Sequence, residues 1–304
     1  MQGRFVMWYY GNMSGIFVKI AHYLRMIRFS HSVFALPFAF TGALIAASGI
    51  PTPGTIFWIT LAMIGARSGA MGMNRIIDRE IDRENPRTSY REIPSGKIGT
   101  REAAIFTVIA LLLFIFAAYN LNILAFMLSP FVILILFLYS YTKRFTWMSH
   151  FVLGIAISVA PLGAWIAVKG TFDMRILSLV VAVVFWLAGF DILYALQDID
   201  FDSNHGLYSI PQRFGIGKAI HLSRLFHGIT MLLLMYTGFL FGLGVFYWVG
   251  MSIVASLFFY EHSLVKPDDL SKLNIAFFNM NGYISATVFV FSFLDYIVPL
   301  TLKL

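Results

Sequence analysis

The sequence predicts an all-α integral membrane protein: nine transmembrane helices around a central cavity, arranged as two pseudo-repeated helical halves. Three observations predict it. Of 304 residues, 59% are hydrophobic and only 12% are charged, half of the roughly 25% that an ordinary soluble domain carries. The apolar residues form long unbroken runs, not the alternation of a membrane β-barrel. The Lys and Arg residues gather in every second loop, the bias that orients membrane helices. Together these exclude a soluble cytosolic enzyme, a disordered chain and a fibrous repeat. Cysteine is absent, which removes disulfides, Cys-based metal sites and Cys nucleophiles.

Residues 1–28 have a short, interrupted apolar run and no small-residue cleavage pattern, so they do not read as a cleaved signal. Lys19, Arg25 and Arg28 cluster ahead of the first span, and the segment reads as an interfacial helix at the inner surface. Residues 29–66 hold no charge and are broken by Pro51-Thr52-Pro53-Gly54. A span needs about 20 residues, so this stretch makes spans 1 and 2. Residues 103–142 make spans 3 and 4 around Asn120-Leu121-Asn122, and 145–168 make span 5. Span 6 covers 176–190 and runs on past Asp191. Residues 225–260, split near Gly242-Leu243-Gly244, make spans 7 and 8, and 273–294 make span 9. With the N-terminus inside, eighteen of the 22 Lys and Arg fall on the inner side and Lys169, Arg175 and Lys303 outside. Nine spans then put the C-terminus outside. The net charge of +7 is thus a topological signal and no argument for a nucleic-acid partner.

Twelve of the fifteen acids lie in inner segments, concentrated at two places. Asn74, Asp78 and Asp82 stand at the inner end of span 2, four residues apart and so on one helical face. Arg67 lies seven residues earlier on the same stripe, deeper in the membrane. Asp191, Asp198 and Asp202, at the inner end of span 6, share a face if the helix continues; Asp200 falls on the opposite side. Two acidic stripes at one depth repel each other unless cations lie between them, and oxygen ligands suit Mg²⁺. The plainer reading is solvated loop charge, with Arg75, Arg79 and Arg83 as i,i+4 partners. An ionisable residue bordering a span, such as Asp191, is a functional candidate by default. The segments that follow, Asn85 to Gly99 and Asn204 to Gly217, each run Asn, then Ile-Pro, then a Gly and basic cluster. They look like diverged copies, and they make 72–102 and 197–220 the candidate active-site loops of a single domain spanning 1–304.

The pairing of Asn74-x-x-x-Asp78-x-x-x-Asp82 with Asp198-x-x-x-Asp202 resembles the UbiA-type intramembrane aromatic prenyltransferases. Asn85-Pro-Arg-Thr and Ile93-Pro94-Ser-Gly resemble that family's loop after span 2. Tyr139-Ser-Tyr-Thr-Lys143-Arg144-Phe-Thr146 resembles its segment between spans 4 and 5, with Ser140 where the family often has Pro. Phe29-Ser-His31-Ser-Val-Phe34-Ala-Leu-Pro37 is similar to the start of span 1 in the 4-hydroxybenzoate polyprenyltransferase branch.

The resemblance implies transfer of a polyprenyl group from its diphosphate to a ring carbon of an aromatic acceptor, in ubiquinone or menaquinone biosynthesis at the cell's inner membrane. It implies Mg²⁺ held by Asp78, Asp82, Asp198 and Asp202. Asn74, Arg67, Arg75 and Lys143 would clamp the diphosphate, and Asp191 would stabilise the carbocation or take the phenol proton, with Asp78 and Asp198 also in catalytic positions. A benzoate carboxylate wants an arginine, and Arg144 is the first choice and Arg28 the second. His31 is a candidate for the acceptor hydroxyl. The prenyl tail needs an apolar slot, which some of the 31 Phe and 14 Met are available to line; most read as lipid contacts. Glu80, Glu84 and Glu92 read as solvated partners of loop arginines. Dihydroxynaphthoate and homogentisate stay open as acceptors. Two other readings compete: a CDP-alcohol phosphatidyltransferase, which lacks a match to the split acids, and a cation-coupled transporter, whose charged sites sit nearer the midplane.

Overall fold

A computed structural model describes residues 15–27, 32–273 and 275–298. Arg28, His31 and Lys303 fall outside the described residues. An amphipathic helix, α1 (Gly15–Met26), precedes helices at all nine expected segments. These are α2 (Ser32–Ala47), α3 (Pro53–Ile77), α5 (Thr100–Leu121), α6 (Ile123–Tyr139), α7 (Ser149–Lys169), α8 (Leu177–Ala195), α11 (Ile216–Phe241), α12 (Val245–Ser263) and α13 (Asn281–Ile297). Short helices α4 (Arg79–Glu84), α9 (Ile199–Asn204) and α10 (Ile210–Phe214) lie between them. Among the described residues, six segments are long and apolar enough to cross a membrane: Pro53–Ile77, Thr100–Leu121, Ile123–Arg144, Ser149–Lys169, Met174–Asn204 and Ile216–Phe241.

Local chemistry sets the breaks. Thr52 caps α3 by accepting the Thr55 amide at 3.2 Å, with Pro53 at the first helical position. Asn122 caps α6 through the Ala125 amide, and its side-chain amide donates to the Ile166 carbonyl of α7. Gly242 ends α11 with φ 59°, a left-handed turn that suits glycine.

α2, α7, α8, α11, α12 and α13 close a ring of neighbours, and α3, α5 and α6 form a second group packed on α7. Close crossings need glycine: a Cβ on Gly65 would stand 2.7 Å from the Phe114 amide nitrogen of α5. Phe239 and Phe259 face outward with most of their surface exposed, as lipid-facing side chains do.

The two acidic segments break in similar ways along the backbone. α3 breaks at Asp78 (φ −91°, ψ 7°) into the six-residue α4. α8 passes through the turn Leu196–Asp198, breaks at Asp198 (φ −112°, ψ 8°), and continues as the six-residue α9. The second acid of each pair, Asp82 and Asp202, is the fourth residue of its short helix, and both are buried. Neither stripe is therefore one continuous helix, but the matched breaks keep its acids on one wall. One inner acid departs from expectation: α12 runs to Ser263, so Glu261 is inside the bundle, bonded to Asn281 at 2.9 Å, and not in a loop.

Candidate active site

A cavity of about 240 Å³ opens where α3, α6, α7 and α8 meet α4, α9 and their loops. Its wall includes Arg67, Asn74, Arg75, Asp78, Asp82, Lys143, Asp191, Asp198 and Asp202. The residues singled out on two distant stretches of sequence thus face one space. Asp200 is exposed and off this wall.

Each of the four paired acids carries a cation from elsewhere in the chain. Arg144 donates to Asp78 at 2.8 Å, Arg91 to Asp82 at 2.5 Å, and Lys143 to Asp202 at 3.0 Å. Arg87 grips Asp198 with two donors, Nε to Oδ1 at 2.8 Å and Nη2 to Oδ2, and reaches the Tyr194 hydroxyl at 2.6 Å. Asn85 adds a bond to Asp198 at 3.2 Å. The repulsion expected between the stripes is thus offset by the protein's own cations: five carboxylates and five cations line the cavity. Burial pushes the Asp78 carboxyl up from its ordinary range, and Arg144 pulls it back only in part. Burial opposes the charge on Arg87, but Asp198 and Tyr194 outweigh it and hold the guanidinium above its usual value.

Arg75 is almost fully buried, donating to the Met26 carbonyl at 3.2 Å and standing 3.8 Å from Asp82, which ties the end of α1 to the site. Arg144, expected to receive an acceptor carboxylate, donates to Asp78 and to the Ile77 and Ser140 carbonyls and stands just off the cavity wall. Glu80 pairs with Arg79 and Arg83 in solvent, as expected, whereas Glu84 stands 3.5 Å from His205.

A second, apolar cavity of about 280 Å³ lies between α3, α5, α6 and α7. Ala35, Arg67 and Ile157 line both spaces, so the two lie side by side at Arg67. Phe and Met contribute little to the second cavity. Its wall is built on small residues such as Ala62, Ala66, Ala70, Ala118, Ala156 and Ala160, with Met63, Phe114 and Phe131 among the larger ones. Small side chains leave the gap; the large aromatics mostly face outward.

Residues 35–283 match the UbiA prenyltransferase family. The chain belongs to the UbiA prenyltransferase family. A 4-hydroxybenzoate octaprenyltransferase of Vibrio parahaemolyticus is 32% identical to it over 80% of this chain and 85% of that protein. Among solved structures, an apo UbiA homolog from Aeropyrum pernix matches with a TM-score of 0.80 and 30% identity, over 87% of this chain and 98% of that one. A UbiA homolog from Archaeoglobus fulgidus, bound to GPP and Mg²⁺, shares the fold at TM-score 0.69 and 22% identity, over 91% of this chain and all of the other. This UbiA-family protein is therefore an integral membrane prenyltransferase, and the transporter and phosphatidyltransferase readings fall.

The site of this prenyltransferase has room for a divalent ion by its donor chemistry. Asp82 Oδ2 and Asp202 Oδ2, one on each stripe, are buried and accept no hydrogen bond, a cost that a hard cation removes. Among the described residues no group of three or more His, Asp or Glu side chains closes on a point by itself. Mg²⁺ usually takes one or two carboxylates and completes its shell from phosphates and water. Sequence reasoning missed Arg87, Arg91, Asn85, Tyr194 and His150. Only the Asn85-Pro-Arg87-Thr run gave a signal, and it pointed to a loop and not to a partner.

Proposed function

We propose that the protein transfers a polyprenyl group from polyprenyl diphosphate to a ring carbon of an aromatic acid, with 4-hydroxybenzoate as the acceptor, in quinone biosynthesis. The observation that carries the reading is that a charge-balanced polar cavity and an apolar slot lie side by side, with Arg67 in the wall of both. An allylic diphosphate has that same division, a charged head on an oily tail. The Vibrio relative's name and the GPP and Mg²⁺ of the Archaeoglobus homolog support the same assignment.

Asp78, Asp82, Asp198 and Asp202 would hold Mg²⁺, which when bound neutralises the charge of the departing diphosphate. Asn74, Arg67, Arg75 and Lys143 would bind the diphosphate oxygens, and Arg87 and Arg91 stand on the same wall to add positive charge there. The C–O bond breaks with its electron pair leaving on the diphosphate, and the allylic carbon bonds to the ring carbon. The ring then passes that carbon's hydrogen as a proton to the departing diphosphate and regains aromaticity. Asp191 stabilises the positive charge as it develops, or takes the acceptor's hydroxyl proton as the ring carbon attacks and returns it when aromaticity is restored. The acceptor's carboxylate is assigned to Arg144, which also donates to Asp78, with Arg28, outside the described residues, as second choice. The nine helices cross the membrane with α1 and the active-site loops on the cytoplasmic side and the C-terminus outside, following the Lys and Arg bias.

Purified protein given Mg²⁺, a polyprenyl diphosphate and 4-hydroxybenzoate is expected to form C-prenylated product, and EDTA is expected to abolish it. Competition among 4-hydroxybenzoate, dihydroxynaphthoate and homogentisate tests the acceptor; preference for either of the other two overturns that part of the reading.

A further inference from the structure

Asp191 does not line the cavity alone. His150, the second residue of α7, is 1% exposed and lies beside it on the same wall. Its Nδ1 is 2.7 Å from Asp191 Oδ2. On the other side of the ring, the backbone amide of Ile210 donates to His150 Nε2 at 3.2 Å. Nε2 therefore presents its lone pair, which leaves the proton of the neutral imidazole on Nδ1, aimed at the carboxylate. Both ring nitrogens are engaged, one by a fixed backbone donor and one by Asp191.

We infer that His150 is a positioning residue that holds the Asp191 carboxylate in its working orientation, and that the Ile210 amide holds His150 in the required tautomer. The inference rests on the proposed role of Asp191. Protonating the imidazole at Nε2 would break the Ile210 bond and leave a buried amide without an acceptor, so the ring orients the base and does not replace it. The same contacts join Asp191 to the second active-site loop. Within that loop the Asp202 carbonyl accepts the Leu207 amide at 2.9 Å, and Ile210 follows three residues later. The loop that carries one end of the acidic stripe thus also sets the base. Orienting partners of this kind are worth about 10- to 100-fold in activity at metal ligands, and the same range is expected here.

The test compares His150→Phe, His150→Asn and Asp191→Asn in the full-length protein, measuring kcat, KM for both substrates and the melting temperature. An Asn side chain places an N–H donor near the position of Nδ1, so it keeps the contact with Asp191 that Phe removes. His150→Phe is expected to lower kcat by about 10- to 100-fold while leaving KM for the diphosphate nearly unchanged, and His150→Asn to recover most of the loss. In the Asp191→Asn background, His150→Phe is expected to add little, because the two residues act as one unit. If the Phe variant does not melt as the parent does, His150→Ala takes its place. A slow Asp191→Asn enzyme alongside a His150→Phe enzyme at parental kcat overturns the inference and leaves the role of Asp191 standing. Parental kcat in Asp191→Asn overturns that role and the inference with it. An Asn variant as slow as Phe, with parental melting, also overturns the inference.

Discussion

Replacing Arg87 by alanine removes the cation that holds Asp198, and the structure sets the size of the effect. Asp198's side chain is 7% exposed and Arg87's 28%, so the pair is largely sheltered from water. Removing one partner of a buried pair costs about 3–5 kcal/mol, because the other charge stays buried. The partial exposure of Arg87 and the remaining Asn85 bond to Asp198 place Arg87→Ala at the low end, at about 3 kcal/mol. At roughly 2 °C per kcal/mol for a chain of this size, the melting temperature falls by about 6 °C. The assay is thermal unfolding in detergent at one fixed scan rate, since membrane proteins often unfold irreversibly. It is run once in EDTA and once with saturating Mg²⁺ and an unreactive prenyl thiodiphosphate. The deficit is expected in EDTA and should shrink when metal and diphosphate supply the missing countercharge. A variant that melts with the parent in EDTA, or an equal deficit in both conditions, would refute the claim that Arg87 serves as the internal cation of a metal carboxylate.

Three further expectations concern the slot, the packing and the acids. Ala160→Phe places a ring in the apolar cavity; kcat/KM for a long prenyl diphosphate should fall by about tenfold or more, with dimethylallyl diphosphate turned over nearly as before. Equal losses for both substrates would separate this cavity from the tail. Gly65→Ala forces α3 from α5 and should cost about 1–3 kcal/mol, read as a lower melting temperature, whereas Gly228→Ala, which meets nothing within 4 Å, should stabilise by about 0.5–1 kcal/mol. Asp78 must be ionised to hold a cation, and burial raises its pKa, so it loses charge as pH falls while an ordinary aspartate, near about 3.9, is still ionised. Calorimetric Mg²⁺ affinity should therefore weaken above the ordinary aspartate range, and Asp78→Asn should remove that part of the pH dependence.

Much of this was legible because it is local. Charge-free runs and the breaks at Thr52-Pro53, Asn122 and Gly242 locate the helices, and i,i+4 spacing puts Asn74, Asp78 and Asp82 on one wall although the helix breaks at Asp78. What pairs across the fold was not legible. Arg87 looks like one more loop arginine until Asp198, 111 residues away, arrives beside it. His150 lies 41 residues from Asp191 and 60 from Ile210, and no spacing rule connects them. Arg144 looked free for a ligand because Asp78 was 66 residues off. The slot was sought among Phe and Met, but a gap between helices comes from small residues, and alanine in an apolar run carries no signal of its own. Glu261 was misplaced because the helix runs three residues past the charge-free run, to Ser263, enough to move a carboxylate from solvent into the bundle.

The central claim is that two acidic stripes, one from each half of the chain, form a single metal and diphosphate site. Its most direct measurement is Mg²⁺-dependent formation of C-prenylated product by the parent, Asp78→Ala, Asp198→Ala and the double variant, each checked for parental melting in the presence of Mg²⁺. The account predicts that either single substitution lowers kcat by at least about 100-fold and that the double variant is little worse than the singles, because both act on one site. Product formation near the parental rate in the double variant would contradict it.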